Sequence, residues 1–407
     1  MSDDEEAYLR KFYDDAGSRG WSYDHFQRNH AKLLGAVSEG WAAKGLSHEY
    51  GSPDHLTRAN FAADVHRFGY DKTVYQTLQL NQLVKDAKDF NAFKTEAGKL
   101  LANLNVRQLQ TQFNTAKATA NATANVLRAV AGGAKFMRHK ATQDTHTRPV
   151  HNALHNRVWR IDNPKDTEWR RFVVPLGFGC RCQDVFEDDF TGEVITNEEA
   201  EQLIGPDEVA RLTRDGFLLD RVDKKMLFSQ KQSYLNGLKD PEQIAYQMGK
   251  MQYADQGQQP WAKISKSALP PMNTPTGLKA SDALKDFDAT ATNGVKRYTD
   301  YTGQPLFLEK SELEFHLQDK YTRASENRQG IYFQIEDIIS DPDEVYFFEF
   351  VKKNGDSDLS YTYLKFHSDG VLLAAIEFSK EQPQVIKSWY KVYEPDSRRK
   401  GLLIHKK

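Results

Sequence analysis

Imidazoles and thiols gather in one stretch of this chain. His139, His146, His151 and His155 fall within seventeen residues, Trp159 and Trp169 follow, and the run closes on Cys180-Arg181-Cys182. Those two cysteines are the only ones in the chain. Thiolate sulfur and imidazole nitrogen are the donors that hold a tetrahedral Zn²⁺, and such an ion staples a region short of apolar core. Cys180, Cys182, His151 and His155 are the candidate ligands of a structural zinc, because His151 and His155 at i, i+4 would share a face of one helix. A second reading stays open. Cys-x-Cys is not the usual Cys-x-x-Cys knuckle, and the same residues also serve as polar or packing groups with small buried thiols. A catalytic metal has less support, since no Glu stands where a general base would accompany the histidine pair.

The elements that must position this block are mostly helical. With 407 residues the chain has room for two or three domains. An apolar fraction of 39% and a mean hydropathy of -0.70 are low for a compact enzyme, and suggest solvent-rich helices or surfaces that dock elsewhere. The net charge of -2 gives no global sign of nucleic-acid binding. No apolar stretch approaches the roughly 18 residues of a membrane span. The acidic start MSDDEEAYLRKF lacks the basic-then-apolar order of a secretory signal. A soluble protein, cytoplasmic where it is made, with no membrane partner, is the expectation.

Residues 1–135 read as a helical N-terminal region. Phe26, Leu33, Leu34, Val37 and Trp41 recur at helical spacing up to a stop at Gly45, and Phe61, Val65, Phe68, Val74 and Leu78 continue after Ser52-Pro53-Asp54. Leu100, Leu101, Leu104, Leu109 and Phe113 form a further stripe. The Ala- and Thr-rich run before Gly132-Gly133 makes a helix that can approach a neighbour closely. The His/Cys block spans 136–190, and a helical extension spans 191–255, with the helical pattern setting in from Phe186 and Ile244, Met248 and Met251 extending it. A Pro-rich linker covers 256–284, since Ala268 to Gly277 is extended and hard to fold into either neighbour. Residues 285–407 read as a small α+β domain. Leu306 to Tyr321 reads as a helix there and Ile331 to Ile339 as a short apolar segment. Five strands follow at 345–351, 361–366, 371–378, 385–392 and 402–404, with turns at Asn354-Gly355 and Asp369-Gly370. The fold class is therefore multidomain: a mainly α-helical region with a His/Cys block, linked to a helix plus antiparallel meander.

The ordered series Thr147-Arg148-Pro149-x-His151-x-x-Leu154, Arg157-Val158, Pro175-x-Gly177 and Cys180-Arg181-Cys182 resembles the signature of phage Mu F-like head morphogenesis proteins, the minor capsid proteins of tailed phages. Asn114-Thr115-Ala116, on the helix leading in, is also similar, and the resemblance covers about residues 60–190. Asn156 stands where the family often has Gly, Val174-Pro175 where it often has Pro-Pro, and Gly179 where Asn often precedes the cysteine. Asn tolerates the same left-handed backbone as Gly. The resemblance implies a few copies per virion, near the portal or inside the procapsid, with portal and capsid proteins as partners and no catalysis by this part.

The C-terminal part is similar to the phage-associated nucleases of the barnase–EndoU–colicin–RelE group. The likeness rests on Ile335-x-x-Ile338-Ile339-Ser340-Asp341-Pro342-Asp343-Glu344-Val345, the strand order, and Arg398-Arg399-Lys400-Gly401-Leu402-Leu403-Ile404. It implies a toxin domain of ribonuclease type, active in the host bacterial cytoplasm, with RNA as substrate and an immunity protein among its partners. Metal-free RNA cleavage needs a base for the ribose 2′-OH, an acid for the leaving oxygen and cations for the phosphorane-like charge. No cofactor is expected. His316 and His367 are candidate bases. Lys365, Lys387, Arg398 and Arg399 are candidate phosphate cations, and Ser388 and Tyr390 alternate on one strand face where hydroxyls would position the phosphate. Residues 281–407 carry 18 Lys and Arg against 22 Asp and Glu, whereas 380–407 carry 8 against 3, a local basic edge suited to a polyanion. Two alternatives stand beside this reading. One is a purely structural protein whose C-terminal domain binds a capsid or host partner. The other, an ADP-ribosyltransferase, lacks its Arg…Ser-Thr-Ser…Glu-x-Glu series.

Overall fold

The computed structural model describes residues 3–14, 21–42, 49–105, 107–228, 248–323, 325–351 and 357–407, with side chains described except at 3–5, 42, 101–109 and 351. Gly45, Ile244 and the Asn354-Gly355 turn lie outside the described residues, as do the side chains of Leu101, Leu104 and Leu109. The chain divides into two compact units, residues 1–47 with 60–239, and residues 48–59 with 240–407.

The first five helices are α1 (Asp3–Asp14), α2 (Tyr23–Ala42), α3 (Pro53–Asp86), α4 (Phe90–Asn105) and α5 (Arg107–Ala131), with α3 counted in the first unit from Asn60 on. Leu33, Val37 and Trp41 of α2 pack with Phe61, Val65 and Phe68 of α3 and with Ala116, Ala120 and Ala124 of α5. The small residues of α5 let it come close to α2: a Cβ on Gly40 would lie 2.5 Å from the Lys117 carbonyl and 2.9 Å from Ala120 Cβ. A polar seam runs beside this core. His25 Nε2 meets Gln76 Oε1 at 2.5 Å, His30 Nε2 meets His66 Nδ1 at 2.7 Å, and Lys72 Nζ donates to Gln112 Oε1 at 2.9 Å, all buried.

After Gly133, whose φ of 78° suits glycine at a helix end, the chain forms a three-stranded antiparallel sheet of order β2-β1-β3. Its strands are β1 (Phe136–Lys140), β2 (Val158–Arg160) and β3 (Gln183–Glu187), with α6 (Pro149–Leu154) between the first two. Phe186, expected at the start of a helical run, therefore lies on a strand. Helices resume as α7 (Asn197–Ile204), α8 (Pro206–Arg214) and α9 (Arg221–Lys224). Thr196 and Glu199 form a reciprocal capping box that fixes the start of α7. Trp159, Trp169, Phe172, Leu176, Leu212 and Phe217 make the core of this region.

The second unit is a seven-stranded sheet of order β10-β6-β7-β8-β9-β5-β4. Its strands are β4 (Val295–Thr299), β5 (Pro305–Glu309), β6 (Glu344–Val351), β7 (Ser357–His367), β8 (Gly370–Phe378), β9 (Val385–Val392) and β10 (Leu402–Lys406). The helices are α10 (Ala280–Thr290), α11 (Lys310–His316), α12 (Asp319–Thr322), α13 (Arg328–Tyr332) and α14 (Ile335–Ser340). The expected meander is present as β6 to β9. The expected helix from Leu306 is not: Leu306, Phe307 and Leu308 are all buried in β5, and helix begins only at Lys310. An apolar run covered on both faces has no period that separates strand from helix.

Between Pro270 and Gly277 the Pro-rich stretch has neither helix nor strand, 3-10 turns at Trp261–Lys263 and Lys266–Ala268 precede it, and the segment from Gln256 to Pro275 is bonded within this unit. Gln256 Nε2 donates to the Gly401 carbonyl, and Trp261 N donates to Asp396. Ser368 N donates to the Pro270 carbonyl, Met272 N to Asp369 Oδ1, and Asn327 Nδ2 to the Pro275 carbonyl.

Candidate functional site

The His/Cys cluster is built by α6 and by the turn before β3. Pro149 starts α6, where its fixed φ suits the first helical turn, and the helix buries Val150, His151 and Leu154. His151 Nε2 donates to the Leu176 carbonyl at 3.2 Å. A carbonyl only accepts, so Nε2 carries the proton and the Nδ1 lone pair is turned to the thiols. Nδ1 lies 3.0 Å from Cys182 Sγ and 3.7 Å from Cys180 Sγ. The three ligand atoms are within 4.8 Å of one another, and this group can hold a metal ion. The hydrogen bond from Cys182, helped by His151, holds the Cys180 thiol below its ordinary range, while Cys180 beside it pushes Cys182 up. Arg221 of α9 is buried with its charge toward Cys180 and Asp220, and burial pulls it down to about 10.

The rest of the sequence signature holds this geometry. Thr147 Oγ1 donates to the Thr142 carbonyl, and Thr142 Oγ1 donates to the Arg181 carbonyl at 2.9 Å. Arg181 forks onto Asp144 at 2.6 and 2.8 Å. Arg148 Nη2 donates to the Phe178 carbonyl, and its guanidinium occupies the space a Cβ on Gly177 would need. Gly177 (φ 138°), Gly179 (φ 68°) and Asn156 (φ 63°) supply the left-handed positions. Arg148 and His151 thus meet the Cys-Arg-Cys turn or the backbone leading into it, and Thr147 is tied to it through Thr142.

His155 does not join the cluster. Helix α6 ends at Leu154, so the i, i+4 face is never completed, and His155 Nδ1 instead accepts from Ala141 N at 3.2 Å. His139 is buried against Asp184, Nδ1 to Oδ1 3.1 Å, and His146 is exposed.

In the second unit a constellation forms at the edge of β9. Strand β5 pairs with β9 only at Phe307–Val385, so the backbone beyond that point turns to side chains for partners. His316, at the end of α11, donates from Nε2 to the Lys387 carbonyl at 2.7 Å. Its Nδ1 accepts from Arg328 Nη1 at 2.7 Å, and the same Nη1 donates to Ser388 Oγ at 3.1 Å. The guanidinium carbon of Arg328 lies 4.4 Å from the Tyr321 ring centre and 5.2 Å from that of Tyr390. Arg398 adds an exposed cation 5.7 Å from the Tyr390 ring. Trp389 Nε1 donates to the Arg328 carbonyl and its ring stacks edge-on to His316. Burial, with Arg328 nearby, keeps the His316 pKa below its ordinary value against the pull of the Lys387 carbonyl.

The structure brings His316, Ser388, Tyr390 and Arg398 into this group and leaves the side chains of the four other expected residues out of it. Lys365 is buried and neutralised by Asp341 at 2.6 Å, with Asp337 at 3.6 Å. His367 sits at the β7–β8 turn, where burial lowers its pKa against the opposing effect of Asp337, the Pro271 carbonyl and Asp369. Arg399, expected at phosphate, is 1% exposed and ion-paired with Glu344 and Asp396. Lys387 pairs with Glu312 at 2.6 Å. Arg328 and Tyr321 were not legible as site residues, since a single Arg and a single Tyr in a polar loop-and-helix segment carry no pattern.

Comparison with known proteins matches two separate segments of the chain. Residues 27–185 match the family described as Phage Mu protein F like protein, and residues 282–406 match the family described as phage-Barnase-EndoU-ColicinE5/D-RelE like nuclease2. The Mu-like prophage FluMu F protein of Haemophilus influenzae is 29% identical over 107 residues, which is 26% of this chain and 25% of that protein. The chain therefore aligns with about a quarter of the length of this curated relative. No solved structure matches the chain. It carries a Mu F-like domain and a nuclease-like domain in one polypeptide.

Proposed function

We propose that this is a phage minor capsid protein acting in head morphogenesis at the portal or procapsid, and that residues 285–407 are an RNase-like toxin domain that cleaves RNA without a metal. Its proposed partners are portal and capsid proteins, with an immunity protein for the toxin. Its place is the virion and then the host cytoplasm. No helix of the described residues is long and apolar enough to cross a membrane. In the Mu F-like part, zinc is the ion we assign to His151, Cys180 and Cys182. Two thiolates and one imidazole with its far nitrogen hydrogen-bonded suit that ion, whose role would be to staple α6 to the Cys-Arg-Cys turn.

The observation that carries the ribonuclease reading is the chain His316 Nδ1–Arg328–Ser388 within the nuclease-like match. In the proposed reaction His316 Nδ1 takes the 2′-OH proton, the 2′-oxygen bonds to phosphorus, and the bond from phosphorus to the 5′-oxygen breaks. The products are a 2′,3′-cyclic phosphate and a 5′-hydroxyl that takes its proton from water. Ser388 and Tyr390 position the phosphate, and Arg398 offsets its developing charge. The Nε2 bond to the Lys387 carbonyl holds the ring through the proton transfer. The test is incubation of the purified chain with total bacterial RNA, with and without EDTA. Discrete fragments with cyclic phosphate ends, insensitive to EDTA, are expected. Intact RNA from folded protein would favour a partner-binding tail instead.

A further inference from the structure

We infer that Arg328 is the primary phosphate-binding residue of the nuclease-like unit and a mask over His316, withdrawn from the imidazole when a single-stranded RNA phosphate binds. The inference rests on the ribonuclease reading and adds to it a residue and a substrate class.

Arg328 is 9% exposed at the start of α13, and its guanidinium is held mainly by neutral groups. One nitrogen, Nη1, makes both polar contacts, to His316 Nδ1 and Ser388 Oγ. Its nearest carboxylate is Glu326, at 3.6 Å from Nε, beyond hydrogen-bond length, and Nε has no hydrogen-bond partner among the described residues. A buried cation so incompletely neutralised favours an incoming anion. The rings of Tyr321 and Tyr390 hold the guanidinium, which leaves it free to turn in its plane toward a phosphate. By contrast Arg399, on the same unit, is closed off by a bidentate carboxylate.

The same arrangement disables His316 as it stands. Nε2 is committed to the Lys387 carbonyl and Nδ1 to Arg328, so no lone pair faces outward. A phosphate that draws Arg328 away uncovers Nδ1 and removes the neighbouring positive charge that opposes protonation. Binding and activation of the base are then one event. Around the guanidinium the surface is aromatic and basic. Phe315 is 45% exposed, and Lys320 Nζ lies 5.1 Å from its ring and 4.5 Å from that of Tyr321. Such interleaving suits unpaired bases, whose faces are free to stack, and not a paired duplex.

The test uses the full chain and a fluorescent single-stranded 2′-deoxy oligonucleotide, which lacks the nucleophile and cannot be cut by this chemistry. Binding is read by anisotropy, and the His316 ring nitrogens by NMR. Wild type should bind and show the His316 Nδ1 resonance shift on addition. Arg328→Ala and Arg328→Gln should each weaken binding by about tenfold or more. Arg328→Lys should recover part of the loss, because Lys retains the charge without the fork. Arg323→Ala, at an exposed position nearby, should bind within about twofold of wild type. Unaltered binding by both neutral variants, or no binding by folded wild type, would overturn the inference, as would a bound oligonucleotide that leaves His316 Nδ1 unmoved. If binding depends on Arg328 while wild type leaves RNA uncut, the phosphate site stands and the ribonuclease reading falls.

Discussion

Arg399 and Glu344 face each other with side chains 1% and 4% exposed, joined by two contacts of 2.6 and 2.7 Å. The pair ties the segment before β10 to the start of β6, and Arg399 Nη1 also donates to the Gln259 carbonyl. Removing one partner leaves the other charge buried without compensation. Arg399→Ala should therefore destabilise the second unit by about 3–5 kcal/mol, measured by urea unfolding. Arg398→Ala, at an exposed position, should stay within about 0.5 kcal/mol of wild type while slowing RNA cleavage.

Zinc content separates the histidines of the first unit. The purified full chain should carry on the order of one zinc per chain by elemental analysis. Cys180→Ser and His151→Ala should lose it. His155→Ala should retain it and cost about 1–2 kcal/mol, the loss of an acceptor for Ala141 N.

Acid should weaken the helical region before it affects ordinary carboxylates. Burial pulls His25 down to about 4 and His30 to about 3, and His66 also lies well below its ordinary value. The unfolded chain takes up these protons below about 6.5, whereas the folded chain does not until far lower. Stability is thus complete above about 6.5 and falls as pH drops, by roughly 2 kcal/mol for each of His25 and His30 between 6.5 and 5, with His66 acting in the same direction. Thermal unfolding followed by circular dichroism at pH 7 and 5 checks this. The double variant His30→Gln, His66→Gln should flatten the dependence.

The Pro-rich stretch should resist protease in the folded protein. Trp261 packs edge-on against Phe366 and under Lys266, whose Nζ is 2.8 Å from the ring centre. Trp261→Ala should remove on the order of 2 kcal/mol of packing. It should also speed tryptic cutting at Lys263 and Lys266, read by mass spectrometry.

The helical stripes of α2 and α3 and the meander β6 to β9 were legible because period and turn residues agree over long runs. The close approach of α5 followed from its Ala and Thr content. What failed was short or covered on both sides. Leu306 to Leu308 has no polar residue to reveal its period, and β1 and β2 hide among histidines and arginines. At the His/Cys cluster, the Cys-Arg-Cys turn and His151 were legible as candidate ligand types. The fate of His155 depended on where a six-residue helix stops, and no residue between Val150 and His155 announces that stop. At β9 the structure groups His316, Ser388, Tyr390 and Arg398, which the sequence offers by residue type, but it closes Arg399 off with Glu344. Arg328 was missed because its meaning comes wholly from the neighbours that folding brings to it.

Gly401 N donates to the Met251 carbonyl, and Gln252 bridges to Lys400, so the polypeptide that leads into the second unit runs beside its final strand. The segment from Met251 to Gln256 and the approach to β10 are thus held as one seam, so an insertion near residue 252 would disturb that edge of the sheet as well as the segment itself.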